Sequence, residues 1–453
     1  MKKIGRLKTY SSKEIQKSYV GIDFCCLDRE LFKPDKCYEL LGKTGIKYAR
    51  CQTGWNRCEK EKGIYTFEWL DSVVDNLCEQ GIEPWFNVSY GNPIYMPDSP
   101  NPTGVGCVPL YYGEDVVEAW KNYVSRLVDR YKGRVTYYEI WNEPTQPQFW
   151  HPTSPDGAEY ARLVNVTAEV IRSVQPDAQI IGNVASPALF DYINDFLDNV
   201  DKKYLNVFSY HIYTTVPEYR TNEATAQLRK MLKNKNFTNT ELWQGESGYP
   251  SWAYKGHWLV KDGCNDETAQ AVYQLRRYFI DIFDGAKLSS FFQMADMWEK
   301  PYVKKSDVIP KCAAQGILNG ITYTPKKSYE TIRYLSTIFS GDIKPTDEYF
   351  LLTTSSQSPI DSIACRKMTF EKNGIKLYAY YYPSDLAEHK EISFDAIVSI
   401  LQKIDEPILI DPMNGDVFEV CEPAYKKGFG YVYTLPLKEY PMILTDKKVF
   451  VIE

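Results

Sequence analysis

Short apolar runs alternate with amphipathic stretches over the first three quarters of the 453-residue chain. Apolar runs of four to eight residues that are rich in β-branched and aromatic side chains and bounded by turn residues predict buried strands. The chain has seven of them, and an eighth run of nine residues, at residues 20–24, 47–51, 83–88, 135–141, 179–183, 205–213, 241–245 and 289–294.

Amphipathic stretches between these runs predict helices. The clearest lies over residues 116–131, where apolar side chains recur at spacings of three and four and mark one buried face. The helix between the last two strands is predicted to start with Asn265 as its cap, followed by two acidic residues in the first turn. Further helices are predicted near residues 38–41, 67–78 and 329–338. Eight strand-then-helix units predict a (β/α)₈ barrel.

The pattern changes after Gly341, where runs of period two lie between turn signals. Asn373-Gly374 and Asn414-Gly415 are dipeptides typical of short β-hairpins. Residues 341–453 are therefore expected to form an antiparallel β-sandwich, and residues 1–340 the catalytic barrel. The extreme N-terminus is a candidate for an extra strand of the sandwich.

Composition and charge narrow the classes of function. Hydrophobic residues at 44% and charged residues at 25% are ordinary globular usage, and the net charge of −6 offers no basic surface for nucleic acid. No apolar run approaches the roughly 20 residues of a membrane span. The four histidines lie far apart and the 11 cysteines form no CxxC pair, so we expect free thiols, no metal site and no cofactor. Aromatic residues at 15% favour a carbohydrate partner, because amphipathic rings suit flat ligands with polar edges.

Two glutamates follow predicted strands at positions that meet in a barrel. Glu143 follows the fourth strand in "EIWNEP", where Pro144 ends the ladder, and Glu246 follows the seventh strand in "WQGESGYPS". Carboxyl ends of barrel strands surround one mouth, so both side chains are expected to face a common pocket. Two facing carboxylates suit glycoside cleavage, in which one protonates the leaving oxygen and the other stays ionised to attack.

A single glutamate at a strand end is more often a loop hydrogen-bonding group or an ion-pair member than a catalyst. The Trp-Asn-Glu-Pro tetrad that contains Glu143 is far more specific, and its combination with Glu246 favours catalysis. If the pair belongs to a retaining enzyme, the two carboxyl groups are expected about 5–5.5 Å apart.

The strand-end segments "EIWNEP" and "WQGESGYPS" resemble those of the clan A glycoside hydrolases, which are retaining barrel enzymes. Within the clan, the layout is most similar to family 39, the family of β-xylosidases and α-L-iduronidases. "SYHIYT" resembles the His-x-Tyr of that family on strand six, and "PKKSYETIRYLSTIFSG" resembles its lead into the terminal sandwich. The resemblance covers nearly the whole chain.

This resemblance implies a role for each matching residue. Glu143 would be the acid/base, Glu246 the nucleophile, and Asn142 the donor to the sugar 2-hydroxyl. Tyr213 would donate to the nucleophile, and Arg50 on strand two would keep that carboxylate ionised.

Further pocket residues are implied less specifically. His211 shares a strand face with Tyr213, because two positions along a strand bring side chains to the same side. Trp298, after strand eight, would be an apolar platform under the sugar ring, and Trp55 and Asn92 are further candidates. For His211 and the two tryptophans, the alternative is a purely structural role.

One position departs from the family. Many members carry a histidine just after the strand-two arginine, whereas this chain reads Arg50-Cys51-Gln52. That histidine contacts the sugar, so the substrate specificity of the family does not carry over directly.

The leading hypothesis is a retaining glycosidase that cleaves β-type linkages of oligosaccharides or small glycosides from one end. An endo-acting β-glycanase or a transglycosylase would use the same residues. A carbohydrate-binding pseudoenzyme is the alternative of another class, and the presence of both glutamates argues against it. A metal-dependent barrel hydrolase would need a cluster of His and Asp ligands, and an aldolase would need a lysine at a strand end. The sequence shows neither. The first residues show no secretory signal pattern, so a cytoplasmic location is expected.

Overall fold

The computed structural model describes residues 1–219, 221–252, 259, 266–298, 312–354, 361–386 and 394–453. Eight parallel strands close into a barrel in the order β7-β8-β1-β2-β3-β4-β5-β6, which confirms the predicted fold. The strands are β1 (Val20–Asp23), β2 (Tyr48–Gln52), β3 (Glu83–Val88), β4 (Tyr137–Ile140), β5 (Gln179–Val184), β6 (Val207–His211), β7 (Glu241–Ser247) and β8 (Leu288–Phe291).

Helices follow the strands and surround the barrel. They are α1 (Tyr38–Gly42), α2 (Glu68–Glu79), α3 (Glu114–Tyr131), α4 (Gly157–Val174), α5 (Phe190–Asn199), α6 (Thr221–Asn234), α7 (Glu267–Phe283) and α8 (Lys327–Ile338). The apolar stripe of α3 is buried from Val116 to Tyr131, as its spacing predicted.

Local capping explains where α7 begins. The side chain of Asp266 accepts a hydrogen bond from the backbone N–H of Ala269, so Asp266 caps the helix and fills the orphan donor of its first turn. Asn265, the predicted cap, lies outside the described residues.

Two barrel strands end earlier than the sequence predicted. β6 ends at His211 and β8 at Phe291, whereas the apolar runs continue to residues 213 and 294. Beyond β8 the regular ladder stops: the N–H of Gln293 donates to the carbonyl of Gln315 in a loop, and that of Met294 donates to the carbonyl of Asp23 at the end of β1. Tertiary contacts at the barrel mouth thus replace the strand ladder.

The C-terminal part contains two antiparallel sheets that form the predicted sandwich. The seven-stranded sheet includes Lys2–Arg6 at its edge, paired with Asp416–Glu419, so the N-terminus adds the extra strand. Its other strands are β9 (Ile343–Thr346), β11 (Arg366–Lys372), β12 (Ile375–Tyr381), β14 (Pro407–Asp411), β15 (Asp416–Glu419) and β18 (Met442–Asp446). The second sheet has β10 (Leu351–Thr354), β13 (Phe394–Ile400), β16 (Ala424–Lys426) and β17 (Gly430–Leu437).

The hairpin between β11 and β12 turns at Asn373-Gly374, where both residues have positive φ (52° and 79°). Positive φ at both central positions suits the twist of the flanking strands, and Asn-Gly tolerates it best. The dipeptide therefore fixes the register from Arg366–Tyr381 to Lys372–Ile375.

Barrel and sandwich pack along α7 and α8. Phe279 and Phe339 on the barrel side meet Phe370 of β11, with ring centroids 5.9 and 5.6 Å apart. The buried ammonium of Lys372 donates to the carbonyls of Thr337 and Ile338 at the end of α8, where cations are favoured. The sandwich thus caps a barrel helix. Among the described helices, none has both the length and the apolar character needed to cross a membrane.

Candidate active site

An unusual turn presents Glu143 at the end of β4. Trp141 and Glu143 both adopt left-handed backbone conformations, with φ of 66° and 44°. The side chain of Asn183 on β5 holds this turn: its Nδ2 donates to the Trp141 carbonyl at 2.8 Å, and its Oδ1 accepts from the Glu143 N–H at 2.9 Å. The neighbouring strand therefore fixes the direction of the Glu143 carboxyl.

Glu246 lies at the corresponding end of β7. The pairing of β6 and β7 shifts register between Gln244 and Glu246, and such a bulge re-aims a side chain at a barrel rim. Its Oε2 accepts a hydrogen bond from Nη1 of Arg50 at 2.8 Å, and its Oε1 accepts one from the Tyr213 hydroxyl at 2.7 Å. Both bonds favour the ionised carboxylate.

The two catalytic candidates face one another with His211 between them. One carboxylate oxygen of Glu143, one of Glu246 and a ring nitrogen of His211 all lie within 4.8 Å of one another. This proximity fits the short carboxyl separation of retaining glycosidases, about 5–5.5 Å, better than the wider separation of about 6.5–9.5 Å in inverting enzymes.

Arg50 is the centre of the hydrogen-bond network below the pocket. It is fully buried and donates through Nε to Glu139 at 2.5 Å and through Nη2 to Oδ1 of Asn142 at 2.8 Å, besides its bond to Glu246. Nη1 also lies 3.4 Å from Oδ1 of Asp23. Arg50 therefore positions the nucleophile and orients the Asn142 amide, whose NH₂ group points away from the guanidinium.

Glu139 is a third carboxylate, which the sequence-based prediction missed. It is buried within β4, and its Oε2 also accepts from Nδ2 of Asn87 and Nε1 of Trp85, at 3.1 and 3.2 Å. Burial opposes its charge, but Arg50 and His211 outweigh burial and lower the pKa of Glu139 to about 2. A glutamate inside a buried strand run, four residues before Glu143, is the signal that could have identified it.

His211 connects the three carboxylates. Its Nδ1 lies 2.9 Å from Oε1 of Glu143 and 3.6 Å from Oε2 of Glu246, and its Nε2 lies 3.9 Å from Oε1 of Glu139. Burial alone would lower its pKa, but the charge of Glu246 and the contacts with Glu139 and Glu143 raise the pKa of His211 to about 10. His211 is therefore a cation at neutral pH.

The environment of Glu143 favours its protonated form. Burial is the largest cause and raises the pKa of Glu143, and the neighbouring charge of Glu246 adds to it, while His211 and Arg50 act in the opposite direction. Glu246 receives two direct hydrogen bonds to its charged form. The two carboxyls are thus sorted into an acid and a nucleophile.

A pocket of about 720 Å³ opens above these residues. Its wall combines Glu143, Glu246 and Tyr213 with residues of the surrounding loops and of α6 that the sequence did not single out. These are Gln146, Gln148, Phe149, Ala185, Ser186, Pro187, Ala188, Ile212, Thr214, Tyr219, Ala224, Phe292 and Gln315. Only spatial convergence of several loops identifies them.

Trp55 and Asn92 are not among the residues that line this pocket, and a contact of either with sugar stays a prediction. Trp55 is fully buried between the rings of Tyr95 and Tyr123, and its Nε1 donates to Oε2 of Glu59 at 2.6 Å. Asn92 is also fully buried, and its Nδ2 donates to the Glu59 carbonyl at 2.8 Å. Both residues support the fold around Glu59.

Trp298 stays a prediction as a platform for the sugar. Its backbone pairs with Cys312 in a short two-stranded ladder, Met297–Trp298 with Cys312–Ala313, and its side chain lies outside the described part.

The cluster of Glu143, His211 and Glu246 has the spacing of a possible cation site. Its electrostatics argue against that use, because the guanidinium of Arg50 lies 2.8 Å from Glu246 and the raised pKa of His211 makes its ring a cation. Metal binding needs a neutral imidazole. The arrangement suits proton transfer and nucleophilic attack instead.

Fold and site together define a class, because a (β/α)₈ barrel with opposed glutamates after strands four and seven is the architecture of clan A glycoside hydrolases. The sequence model "Glycosyl hydrolases family 39" matches residues 33–344, more than two thirds of the chain. The chain belongs to this family, which is a family of retaining enzymes.

Curated relatives agree with this assignment. The chain is 24% identical over 326 residues to a β-xylosidase of Caldicellulosiruptor saccharolyticus, covering 66% of this chain and 63% of that protein. It is 29% identical over 178 residues to a β-xylosidase of Geobacillus stearothermophilus, covering 36% and 33%. The chain thus spans less than two thirds of either relative.

Solved structures share the fold. A family 39 glycoside hydrolase from Bacteroides cellulosilyticus WH2 superposes with a TM-score of 0.70 at 18% identity, covering 96% of this chain and 82% of that one. A family 39 β-xylosidase from Caulobacter crescentus gives 0.61 at 15% identity, with 97% of both chains covered.

Replacing Glu139 by glutamine tests the buried network. Glu139→Gln keeps the shape but removes the charge that pairs with Arg50 and His211, so the pKa of His211 should fall from about 10. We expect kcat/KM on an active glycoside to fall about tenfold to a hundredfold, since small displacements of catalytic groups are costly. The free energy of unfolding should fall by about 3 kcal/mol or more, because Arg50 loses a buried partner.

The matched control is Glu241→Gln. Glu241 is the first residue of β7, at the end of that strand opposite to Glu246. Glu241 is exposed and also accepts from an indole, Nε1 of Trp243, at 2.9 Å. In this control, kcat/KM, the free energy of unfolding in urea and the pKa of His211 from NMR titration should all stay near their wild-type values. An unchanged pKa of His211 and unchanged kinetics in Glu139→Gln would contradict the assigned role.

Proposed function

We propose that this protein is a retaining glycosidase that cleaves β-type glycosidic bonds of oligosaccharides or small glycosides by double displacement. The observation that carries the proposal is the close pair of Glu143 and Glu246, of which one has a raised pKa and the other receives two hydrogen bonds to its charged form. A pseudoenzyme would have no need of both carboxyls in this opposed arrangement.

In the first step, a carboxylate oxygen of Glu246 attacks the anomeric carbon while the bond from that carbon to the leaving oxygen breaks. Glu143 donates its proton to the leaving oxygen, which departs as a neutral alcohol. Arg50 and Tyr213 hold the attacking carboxylate in place through their two hydrogen bonds. In this proposal Asn142, whose Oδ1 accepts from Arg50, hydrogen-bonds the 2-hydroxyl, a contact that strengthens in the transition state.

In the second step, the ionised Glu143 removes a proton from water, whose oxygen attacks the anomeric carbon and releases Glu246. Glu143 becomes negatively charged in the first step. The cationic ring of His211, 2.9 Å away, stabilises that charge. The same residue therefore acts first as acid and then as base.

The names of the relatives support a β-configured substrate. Two are β-xylosidases, and a third, 29% identical over 133 residues, is a 6-phospho-β-glucosidase of Clostridium longisporum. A β-xyloside is the first substrate to test. The departure at Cys51 and Gln52, where many family members have a histidine, calls for a wider panel of nitrophenyl glycosides.

Substitution of the two glutamates distinguishes their roles. Glu246→Ala should abolish turnover of every glycoside, because no nucleophile remains. Glu143→Ala should lower kcat/KM about 10²- to 10⁴-fold for poor leaving groups, and far less for dinitrophenyl glycosides, which leave without a proton. Added azide should then yield a β-glycosyl azide, detectable by NMR. Equal losses for good and poor leaving groups, with no azide product, would place the acid/base elsewhere.

The pH profile follows from the raised pKa of Glu143. Because the acid must be protonated, kcat/KM should fall as pH rises through this pKa, and the basic limb should lie above the ordinary glutamate range near pH 4.5. The limb is a macroscopic property of the coupled groups. Glu143→Gln, measured on an activated substrate, should lose the basic limb. An unchanged limb would show that another group controls it.

Exo action is part of the proposal. Incubation with a long β-linked glycan and sizing of early products should show single sugars released while the polymer length falls slowly. The proposed cytoplasmic location agrees with small substrates, since intact polysaccharides do not cross a membrane. A rapid fall in polymer length with mixed oligosaccharides would instead identify an endo-acting enzyme.

A further inference from the structure

The loop that follows β6 carries part of the catalytic apparatus. Tyr213 donates to the nucleophile Glu246 at 2.7 Å, and Thr214 and Tyr219 line the pocket. The loop is irregular over residues 212–219: the N–H of Ile212 still donates to the Glu246 carbonyl at 3.0 Å, but from Tyr213 onward the described residues form no strand ladder with the barrel. Contacts from other elements must position it.

Two neighbouring arginines of α7 hold this loop from below. Arg276 is fully buried and donates through Nε to Oε1 of Glu218 at 2.8 Å and through Nη2 to Oε2, a bidentate pair. Arg277 donates through Nη2 to the carbonyl of Pro217 and lies 3.4 Å from Oγ1 of Thr214. Burial would raise the pKa of Glu218, but Arg276 outweighs burial and lowers it, so Glu218 is ionised.

The sandwich reaches the same carboxylate. Tyr381, at the end of β12, is buried and donates its hydroxyl to Oε1 of Glu218 at 2.7 Å. Nη1 of Arg276 donates to the carbonyl of Ser384 at 2.8 Å, and the guanidinium lies 5.7 Å from the centroid of the Tyr381 ring. One buried ion pair thus joins the barrel, the sandwich and the loop after β6.

We propose that Glu218, Arg276 and Tyr381 form a positioning cluster through which the sandwich fixes Tyr213 against the nucleophile. Glu218, the member of the cluster on the loop, lies five residues after Tyr213. None of the three members needs to touch the substrate. Its effect on the reaction is transmitted by the loop backbone and by Tyr213. The kinetic test of this inference rests on the proposed glycosidase activity. A second test measures the order of the loop and needs no turnover.

Tyr381→Phe is the most conservative test, because it removes one hydroxyl and keeps the ring. The adjacent Tyr380→Phe is its matched control: Tyr380 is equally buried in β12, but its hydroxyl donates at 3.0 Å to the Pro436 carbonyl within the sandwich. We expect kcat on an activated glycoside to fall about fivefold or more in Tyr381→Phe, and less than twofold in the control. Thermal denaturation should show similar small losses of stability in both.

A double-mutant cycle separates positioning from general packing. If Tyr381 acts through Tyr213, then Tyr381→Phe should have no further effect on kcat in a Tyr213→Phe background. A loss of the same size in both backgrounds would show that the cluster does not act through Tyr213. Equal kinetic losses in Tyr380→Phe and Tyr381→Phe would reduce the cluster to a structural contact.

Amide hydrogen exchange of the loop provides the measurement without turnover. Residues 212–219 should exchange faster in Tyr381→Phe than in wild type or in Tyr380→Phe, since local opening depends on local contacts. If wild-type protein cleaves no glycoside of the panel, the proposed function fails while this exchange result still decides the positioning role. If the loop exchanges equally in all three proteins, the positioning role fails whatever the activity.

Discussion

A single buried guanidinium organises the candidate active site. Arg50 contacts Glu139, Asn142 and Glu246, so its removal would leave both carboxylates with His211 as their remaining cationic neighbour and one amide without its orientation. Burial is the main cause that raises the pKa of Asp23, to about 8, and makes this further neighbour neutral at pH 7. Arg50 and the cationic ring of His211 lie beside the carboxylate of Glu139 and the two facing glutamates, and both cations oppose the burial that raises the pKa of Glu143.

Much of the fold could be predicted because the spacing of apolar residues follows the face that each helix or strand buries. All eight barrel strands and the long amphipathic helices occur at the predicted places, and Asn373-Gly374 makes the expected hairpin turn. The prediction was wrong at the ends of β6 and β8. There the apolar run continues into the barrel mouth: beyond β8 the backbone bonds to the loop at Gln315 and to the end of β1, and beyond β6 the N–H of Ile212 bonds to the Glu246 carbonyl of β7. Local sequence carries no information about which loop will be the partner.

Sequence motifs brought together Glu143, Glu246, Arg50, His211 and Tyr213, since residues at barrel strand ends converge whatever their separation along the chain. The sequence did not indicate the neighbours of Trp55 and Asn92, because composition does not reveal whether an aromatic ring or an amide serves a ligand or a neighbouring residue. Both donate to Glu59, Trp55 to its carboxylate and Asn92 to its carbonyl. Glu139 escaped notice for the opposite reason: within a buried strand it looked like part of the core pattern.

The left-handed turn at Glu143 has a consequence for the stability of the protein. Non-glycine residues in that region cost about 1–2 kcal/mol, and Trp141 adds a second such position within the same turn. Glycine would relieve the strain at residue 143 but would remove the proposed proton donor. Under the proposed function, natural selection for folding and selection for activity therefore favour different residues at one position, and the Asn183 bridge to Trp141 and Glu143 is the compensation that keeps Glu143 in place.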